Sequence, residues 1–533
     1  MTLLTAEVAR AISLALQGVD AASIQVPNHD TPPEQAGWVR DLIEADPTQR
    51  MRTFRAMFSG HPHGPAIYAE VFSADAEVTD TFEPAKVHLS DTGNAEWFAH
   101  QYAEKLRYDH RQSRWLYWTG KRWKQDSDGH ITRLSIKAVR ARLAFANDKI
   151  EGELREKAVK WALSSESKTR IEAMTKIAQS VRPLADDGEN WDSNSWLLGV
   201  ENGVVNLRTG ELREGRHTDR ITMSCKIIYD PSFEAPRWER FLQEVFVDQD
   251  VILFIQRAVG YSLTADTREQ VIFFCHGQGA NGKSTFLDTL RAMLGEYASN
   301  TPFSTFDQRN PSAIPNDVAA LYKARLVTAS ETNESRRLNE GRVKAMTGDS
   351  AMTARFMHQE FFTYKPVYKI WLAMNHKPAI YGTDDGIWRR IRMIPFTQSF
   401  KDKPDKTLEE ALHKELPGIL AWAVQGCLSW QEAGLVVPQA IRNATNEYRL
   451  ESDFIAAFID EALLVHPGAK IKASELYKEY TEWCHPRGDD PMNSTNFGKR
   501  LAEKGFEKTK TRDGIYYIGV GLPVKINFMK DCE

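Results

Sequence analysis

The chain has 533 residues, 42% of them apolar and 26% charged, which excludes a disordered, collagen-like or coiled-coil protein and suggests three or four domains. Lysine and arginine number 68 against 72 acidic residues, a net charge of −4, so any nucleic-acid site is local and not a basic coat. Five widely spaced cysteines without a CxxC pair (Cys225, Cys275, Cys427, Cys484, Cys532) argue against a zinc ribbon or disulfide framework and fit a reducing compartment.

The opening MTLLTAEVARAISLALQG carries Glu7 and Arg10 among its apolar positions and reads as an amphipathic helix, not a signal peptide. No apolar run approaches the roughly 20 residues that span a bilayer, and no membrane partner is expected. Helical patterns cover Thr5 to Leu16 and Gln35 to Phe58, and residues 1–85 form an N-terminal helical region without recognisable chemistry. Residues 86–235 read as a mixed α+β domain. Trp97, Phe98, Tyr102 and Leu106 recur at helical spacing. RWLYWTGKRWKQDSDGH reads as a β-hairpin, and a long helical stretch runs from about Ser135 to Val181. WLLGVENGVVNLRTGEL supplies two short strands broken by Asn202-Gly203 and Thr209-Gly210.

From Pro236 the texture changes. WERFLQEVF and DVILFIQRAVGYSL are apolar at helical spacing, and VIFFCHG, Leu326–Ala329 and Lys369–Met374 are apolar strand-length runs. The alternation predicts an α/β core over 236–450 with a buried parallel sheet. Residues 451–533 form a last small unit of two or three helices and a hairpin around Asp513-Gly514.

The strongest chemical signal is Gly277-Gln278-Gly279-Ala280-Asn281-Gly282-Lys283-Ser284, followed by Thr285. It fits the phosphate-loop pattern and stands between a strand and a helix. Its glycines let backbone N–H groups face a phosphate, at a helix N-terminus that adds positive charge. Lys283, expected as a surface cation, would reach the β- and γ-phosphates, and Ser284 would ligate Mg²⁺. ATP and Mg²⁺ are therefore the expected ligands. A second strand delivers Glu331, suited to polarise water or hold the metal together with Ser284. A third ends at Asn375, whose amide can hold water near the γ-phosphate.

The order of these pieces, with Lys344, Thr347, Gly348, Asp349, Arg355, Phe361 and Phe362, then Asn375 and Pro378, then Trp388-Arg389-Arg390 and Ile394-Pro395-Phe396, resembles superfamily 3 helicases of the AAA+ class. The likeness is to the poxvirus and satellite-phage primase–helicase branch, C-terminal helicase portion. It is dense from about Trp238 to Phe400 and looser over 86–235. The last unit resembles that branch's C-terminal winged-helix DNA-binding domain. The implied fold is a multidomain α/β and α+β protein with an AAA+ core and parallel sheet. The resemblance implies an ATP-driven, ring-shaped homo-hexamer that translocates on single-stranded DNA and unwinds forked DNA in replication. A phage, prophage or plasmid origin follows by resemblance, with action in the cytoplasm of a bacterial host. It implies that Glu331 is the acidic-strand catalyst, Asn375 the sensor, and Arg389 or Arg390 (Arg390 preferred) the finger reaching a neighbour's ATP. The acidic strand ends Ser330-Glu331 with no preceding aspartate, a departure from the AAA+ pattern.

Two further expectations concern DNA. A hairpin before the Asn375 strand would put Arg355, His358 and Lys365 against phosphates, with Phe356, Phe361 and Phe362 in the core. In the last unit Lys499, Arg500, Lys504, Lys508, Lys510, Arg512, Lys525 and Lys530 outnumber nearby acids. There Asn493 opens a capped recognition helix and Lys508 to Tyr516 form a wing. Asp75, Glu77 and Asp80 lie in a polar run that reads as a solvated face and not as a two-metal primase site, so a separate primase or polymerase is the expected partner. The alternatives are a primase–helicase with an unrecognised primase site, and an NTP-dependent initiator or defence ATPase that binds DNA without unwinding it.

Overall fold

The computed structural model describes residues 83–307, 315–330, 337–348, 351–355, 361–380, 385–487 and 491–523. Nearer the N-terminus it describes 33–44, 50–58 and positions 8, 11, 12, 15 and 67. Asp75, Glu77, Asp80, Glu331, Asp349, Phe356, His358, Lys525 and Lys530 lie outside the described residues. The chain divides into two compact units, 1–102 with 132–182, and 103–131 with 183–533.

The first unit is helical where described, with helices at Pro33–Glu44, Arg50–Phe58, Asp91–Gln101, Gly152–Ser164 and Lys168–Ala178 and most of His130–Lys149. Ser90 caps the Asp91 helix, its hydroxyl accepting from Gly93 N at 3.1 Å. A buried Asn94 ties three segments together. Its amide donates to Ser165 Oγ (3.0 Å) and accepts from Arg142, and Arg142 also donates to the Val87 and His88 carbonyls. Paired in this way, a buried amide and guanidinium are satisfied and define the packing.

In the second unit, Leu106 opens a strand and does not extend the helix that its spacing predicted. Arg114–Trp118 and Trp123–Gln125 form the expected hairpin, with Trp118 opposite Trp123. Leu197–Val200, Gly203–Asn206 and Glu211–Arg213 make a three-stranded antiparallel sheet, one strand more than expected. That sheet packs against the helices beyond Pro236. Leu198, Val205, Leu207 and Tyr229 share one hydrophobic cluster with Trp238, Leu242 and Phe286.

The centre of this unit is a parallel sheet of β1 (Ile272–His276), β2 (Ala298–Asn300), β3 (Leu326–Ser330), β4 (Lys369–Met374) and β5 (Ile391–Pro395), in the order β5-β1-β4-β3-β2. Its side chains alternate between two cores, as a period of two requires. Phe273, Cys275, Trp371 and Ala373 face one, and Ile272, Phe274, Ile370, Leu372 and Met374 the other. Burial on both faces explains why these strands read as continuous apolar runs. The first core is closed by α1 (Pro236–Phe246), α2 (Gln249–Leu263), α3 (Lys283–Leu294) and α4 (Leu416–Ala433). On the second face α5 (Gln439–Glu451) contributes Tyr448.

After Glu451 come α6 (Phe454–Ala462), β6 (Leu464–Lys472), α7 (Ala473–Cys484), α8 (Ser494–Glu503), β7 (Lys508–Thr511) and β8 (Gly514–Gly521). The strands form an antiparallel sheet in the order β6-β8-β7. Phe458, Leu476, Tyr480, Phe497, Leu501 and Tyr517 make its core. Three helices and the hairpin match the sequence reading, whereas β6 was not foreseen. The described residues contain no helix long and apolar enough to cross a membrane.

Candidate functional site

The phosphate loop leaves the carboxyl end of β1, the edge at which parallel α/β sheets place their ligand crevices. Both neighbouring strands brace it. His276 pairs with Met374 of β4 and Pro395 of β5. Gly277 N donates to Met374 O (3.2 Å), Phe396 N to His276 O (2.7 Å), and Phe400 N to Ala280 O (2.7 Å). A Cβ on Gly277 would lie 2.0 Å from Asn281 Nδ2 and 2.5 Å from the Phe396 carbonyl oxygen, so no side chain fits there. Gly282, at φ +84°, directly precedes α3, a left-handed turn that glycine makes without strain.

Lys283 is not the surface cation expected from the loop: it is only 6% exposed. Its Nζ donates to Gly277 O (2.7 Å) and Asn281 Oδ1 (2.8 Å), and Asn281 Nδ2 donates in turn to Phe396 O (3.2 Å). Burial pushes the Lys283 pKa below the ordinary lysine value. A desolvated ammonium held by neutral oxygens favours an incoming anion. Gln278 and Ala280 are exposed beside the half-buried Gly279, and Ser284 is exposed on the first turn of α3, followed by half-buried Thr285. With a glycine cradle, a buried cation, a helix N-terminus and a free-standing hydroxyl, the residues present fit a polyphosphate with a divalent metal.

His276 is half-buried at the mouth of the loop. Burial, and then the charges of Lys377 and Lys283, lower its pKa, which favours a neutral imidazole. Asn375 is exposed one residue beyond the end of β4. Ser330, the last residue of β3, pairs with Ala373, so β3 also ends at this edge; Glu331 follows it, outside the described residues. No cluster of three or more metal-ligating side chains occurs among the described residues.

The two candidate fingers lie at the other end of the sheet. Ile391 of β5 pairs with Ile272 and Pro395 with His276, which puts Arg389 and Arg390 at the amino ends of the strands, about 16 Å from the loop at ~3.3 Å per residue. The two differ sharply. Arg390 is 9% exposed and donates to Thr347 Oγ1 (3.2 Å), the Gly386 carbonyl and Gln270 Oε1 (3.3 Å). Arg389 is exposed and donates to the same Gln270 Oε1 (3.3 Å). The Arg390 guanidinium is thus engaged within its own chain, whereas that of Arg389 faces outward.

The predicted hairpin forms between Met352–Ala354 and Phe362–Tyr364. Arg355 and Lys365 are exposed. Phe361 is 56% exposed with the Arg355 guanidinium 4.7 Å from its ring centre, and is not a core residue as expected. In the last unit Asn493 caps α8 through Asn496 N (2.9 Å). Lys499 and Lys510 are exposed, Arg500 pairs with Glu503 (2.7 Å), and exposed Lys508 lies 5.3 Å from the Tyr517 ring centre. Lys499 and Lys508 line a groove of about 800 Å³ beside α8.

Gln270 and Asn281's bridge to Phe396 escaped the sequence reading. Neither has a local signature, since each acts through segments distant in the chain.

Comparison with known proteins gives matches in the same order along the chain. Residues 95–247 match the D5 N terminal like family, 275–390 a family of unknown function (DUF5906), and 450–520 the Poxvirus D5 protein-like family. Relatives include the candidate helicase L207/L206 of Acanthamoeba polyphaga mimivirus, 27% identical over 55% of this chain and 33% of its own length. A candidate helicase, 022R, of Frog virus 3 is 25% identical over 46% of this chain and 27% of its own. The candidate primase C962R of African swine fever virus is 27% identical over 55% of this chain and 33% of its own. The chain thus spans about a third of the length of these relatives. Among solved structures, the A form of the NrS-1 C-terminal region aligns over 80% of this chain and 98% of that one at 12% identity, with a TM-score of 0.44. Successive matches to both D5-named families, and similarity to relatives from several large DNA viruses, support a D5-type superfamily 3 primase–helicase.

Proposed function

We propose that this chain is an ATP-dependent DNA helicase with an AAA+ core, working as a ring, usually a hexamer, on single-stranded and forked DNA. The observation that carries the reading is the separation of the phosphate loop from the exposed Arg389 at opposite ends of one sheet. An arginine so far from its own loop can complete an ATP site only in a second copy. Lys283 and the first N–H groups of α3 would hold the β- and γ-phosphates, Asn375 would hold the attacking water, and Ser284 would hold Mg²⁺ together with Glu331. Mg²⁺, when bound, would supply neutralisation of the phosphate charge. The neighbour's Arg389 would stabilise charge on the transferring phosphoryl group, with its forked donors always protonated.

The hairpin carrying Arg355, Phe361 and Lys365 is the proposed single-strand contact, and the winged-helix-like last unit the proposed duplex contact. DNA replication of a phage, prophage or plasmid in a bacterial cytoplasm is the proposed setting, with primer synthesis left to a separate primase or polymerase. The test is ATP hydrolysis with and without single-stranded DNA, alongside displacement of a labelled strand from a fork. DNA-stimulated hydrolysis and displacement, both lost in Lys283→Ala, are the expected results. Stimulated hydrolysis without displacement would replace the motor by an ATP-dependent DNA-binding switch.

A further inference from the structure

We infer that Gln270 is a positioning residue for Arg389, its side-chain oxygen setting the direction in which that arginine leaves the subunit. The inference rests on the shared-site reading above. The ladder between β5 and β1 brings the groups together. Ile391 pairs with Ile272, and Ile272 N donates to Arg390 O at 2.9 Å, so Gln270 and Arg389, each two residues before its strand, stand close enough for their side chains to hydrogen-bond. Gln270 occupies a left-handed conformation (φ +50°) in a turn closed by its own N–H on Thr267 O (3.0 Å). A side chain other than glycine held there is uncommon and points to a local constraint.

Its Oε1 receives one hydrogen bond from each arginine, both at 3.3 Å. Arg390 is the fixed member of the pair. Its other bonds run to Thr347, at the end of the helix Glu340–Thr347 that precedes the hairpin, and to Gly386. Gln270 thus links the exposed guanidinium to an anchored one. Two adjacent guanidinium groups repel, and a neutral amide oxygen can accept from both without neutralising either. A carboxylate in its place would form ion pairs and compete with a neighbour's phosphate for Arg389. An exposed arginine samples many rotamers, and a misplacement of about 1 Å in a reacting geometry can cost about 100-fold in rate. A bond that narrows the search therefore acts on turnover and not on ATP binding at the subunit's own loop.

The test uses mixed assemblies of full-length chains on single-stranded DNA. Lys283→Ala subunits donate the arginine and Arg389→Ala subunits donate the loop, and the mixture should recover hydrolysis that neither shows alone. Gln270→Ala is then added to one partner at a time. On the arginine-donating subunit it should lower kcat by about tenfold or more with KM unchanged. On the loop-donating subunit it should change neither, which also shows that the substituted chain folds and assembles. The near-isosteric Gln270→Glu should give the same one-sided loss. A loss equal on both sides, or none on the donating side, overturns the role of Gln270 and leaves the shared site standing. No recovery in the parent mixture despite demonstrated subunit exchange overturns the shared site and this inference with it.

Discussion

Replacing Lys283 by alanine should separate the proposed nucleotide binding from folding. In the free protein its ammonium makes two hydrogen bonds to neutral oxygens, at 2.7 and 2.8 Å. Bonds to a charged group contribute about 1.5–3 kcal/mol each. Against this stands the desolvation of the ammonium, an effective cost of several kcal/mol for a buried ion, and burial does lower its pKa. The two nearly cancel, so Lys283→Ala should change the stability of the nucleotide-free protein by no more than about 1 kcal/mol, or roughly 2–4 °C in Tm for a domain of this core's size. Ligand linkage works differently. At a nucleotide concentration 100 times Kd, the wild type should gain about 2.7 kcal/mol, which is roughly 5–11 °C on the same scale. The variant should gain almost none and should not hydrolyse ATP. Thermal unfolding followed with and without ATP and Mg²⁺, beside a steady-state ATPase assay, reads both quantities. A variant still stabilised by several degrees with ATP, or turning over near the wild-type rate, would refute the site. A fall above about 10 °C without nucleotide would show that the lysine mainly holds the loop together.

The two neighbouring arginines should behave oppositely. Arg389→Ala should leave Tm within about 2 °C and reduce hydrolysis in assembled protein by about 10³-fold. Arg390→Ala should destabilise by about 2–4 kcal/mol, because it removes a buried side chain together with its hydrogen bonds to Thr347 Oγ1, the Gly386 carbonyl and Gln270 Oε1; chemical denaturation gives the comparison, and equal effects would be inconsistent with the burial difference. For acid stability, burial opposes the Asp186 carboxylate, but hydrogen bonds from Arg220 (2.8 Å), Gly188 N (2.8 Å) and Trp191 (3.0 Å) outweigh it and hold its pKa low. A lowered carboxylate stabilises fully above its unfolded pKa of about 3.9 and loses that contribution as pH falls through the folded value. Asp186→Asn should therefore cost about 2 kcal/mol near pH 7 and progressively less below about pH 4, as read by tryptophan fluorescence during denaturation; a constant cost across that range would be the contrary result. In the last unit, Lys499→Ala with Lys508→Ala should weaken duplex binding and reduce the salt slope by about two. An unchanged slope would remove the groove beside α8 from the DNA path.

The strand–loop–helix placement of Gly277–Ser284 was legible in the sequence because its constraints are local. Gly277, Gly282 and Lys283 must stand at fixed spacing between a strand and a helix, and backbone sterics impose that spacing wherever the loop occurs. The apolar runs at Leu326 and Lys369 were legible for a similar reason, since a strand buried on both faces has no polar side to interrupt it. The hairpin and α8 announced themselves through turn and cap residues, whose effects reach only a few positions. Tertiary structure decided what depends on segments far apart in the chain. Leu106 begins a strand despite its helical spacing, because pairing with Tyr117 outweighs a weak local preference. Phe361 leaves the core, where composition alone had placed it. Adjacent residues Arg389 and Arg390 carry identical side chains, and only the approach of Thr347, Gly386 and Gln270 buries one and leaves the other able to reach outward. Sequence periodicity records which face of its own element a residue occupies; which distant groups meet that face is settled only when the sheet assembles.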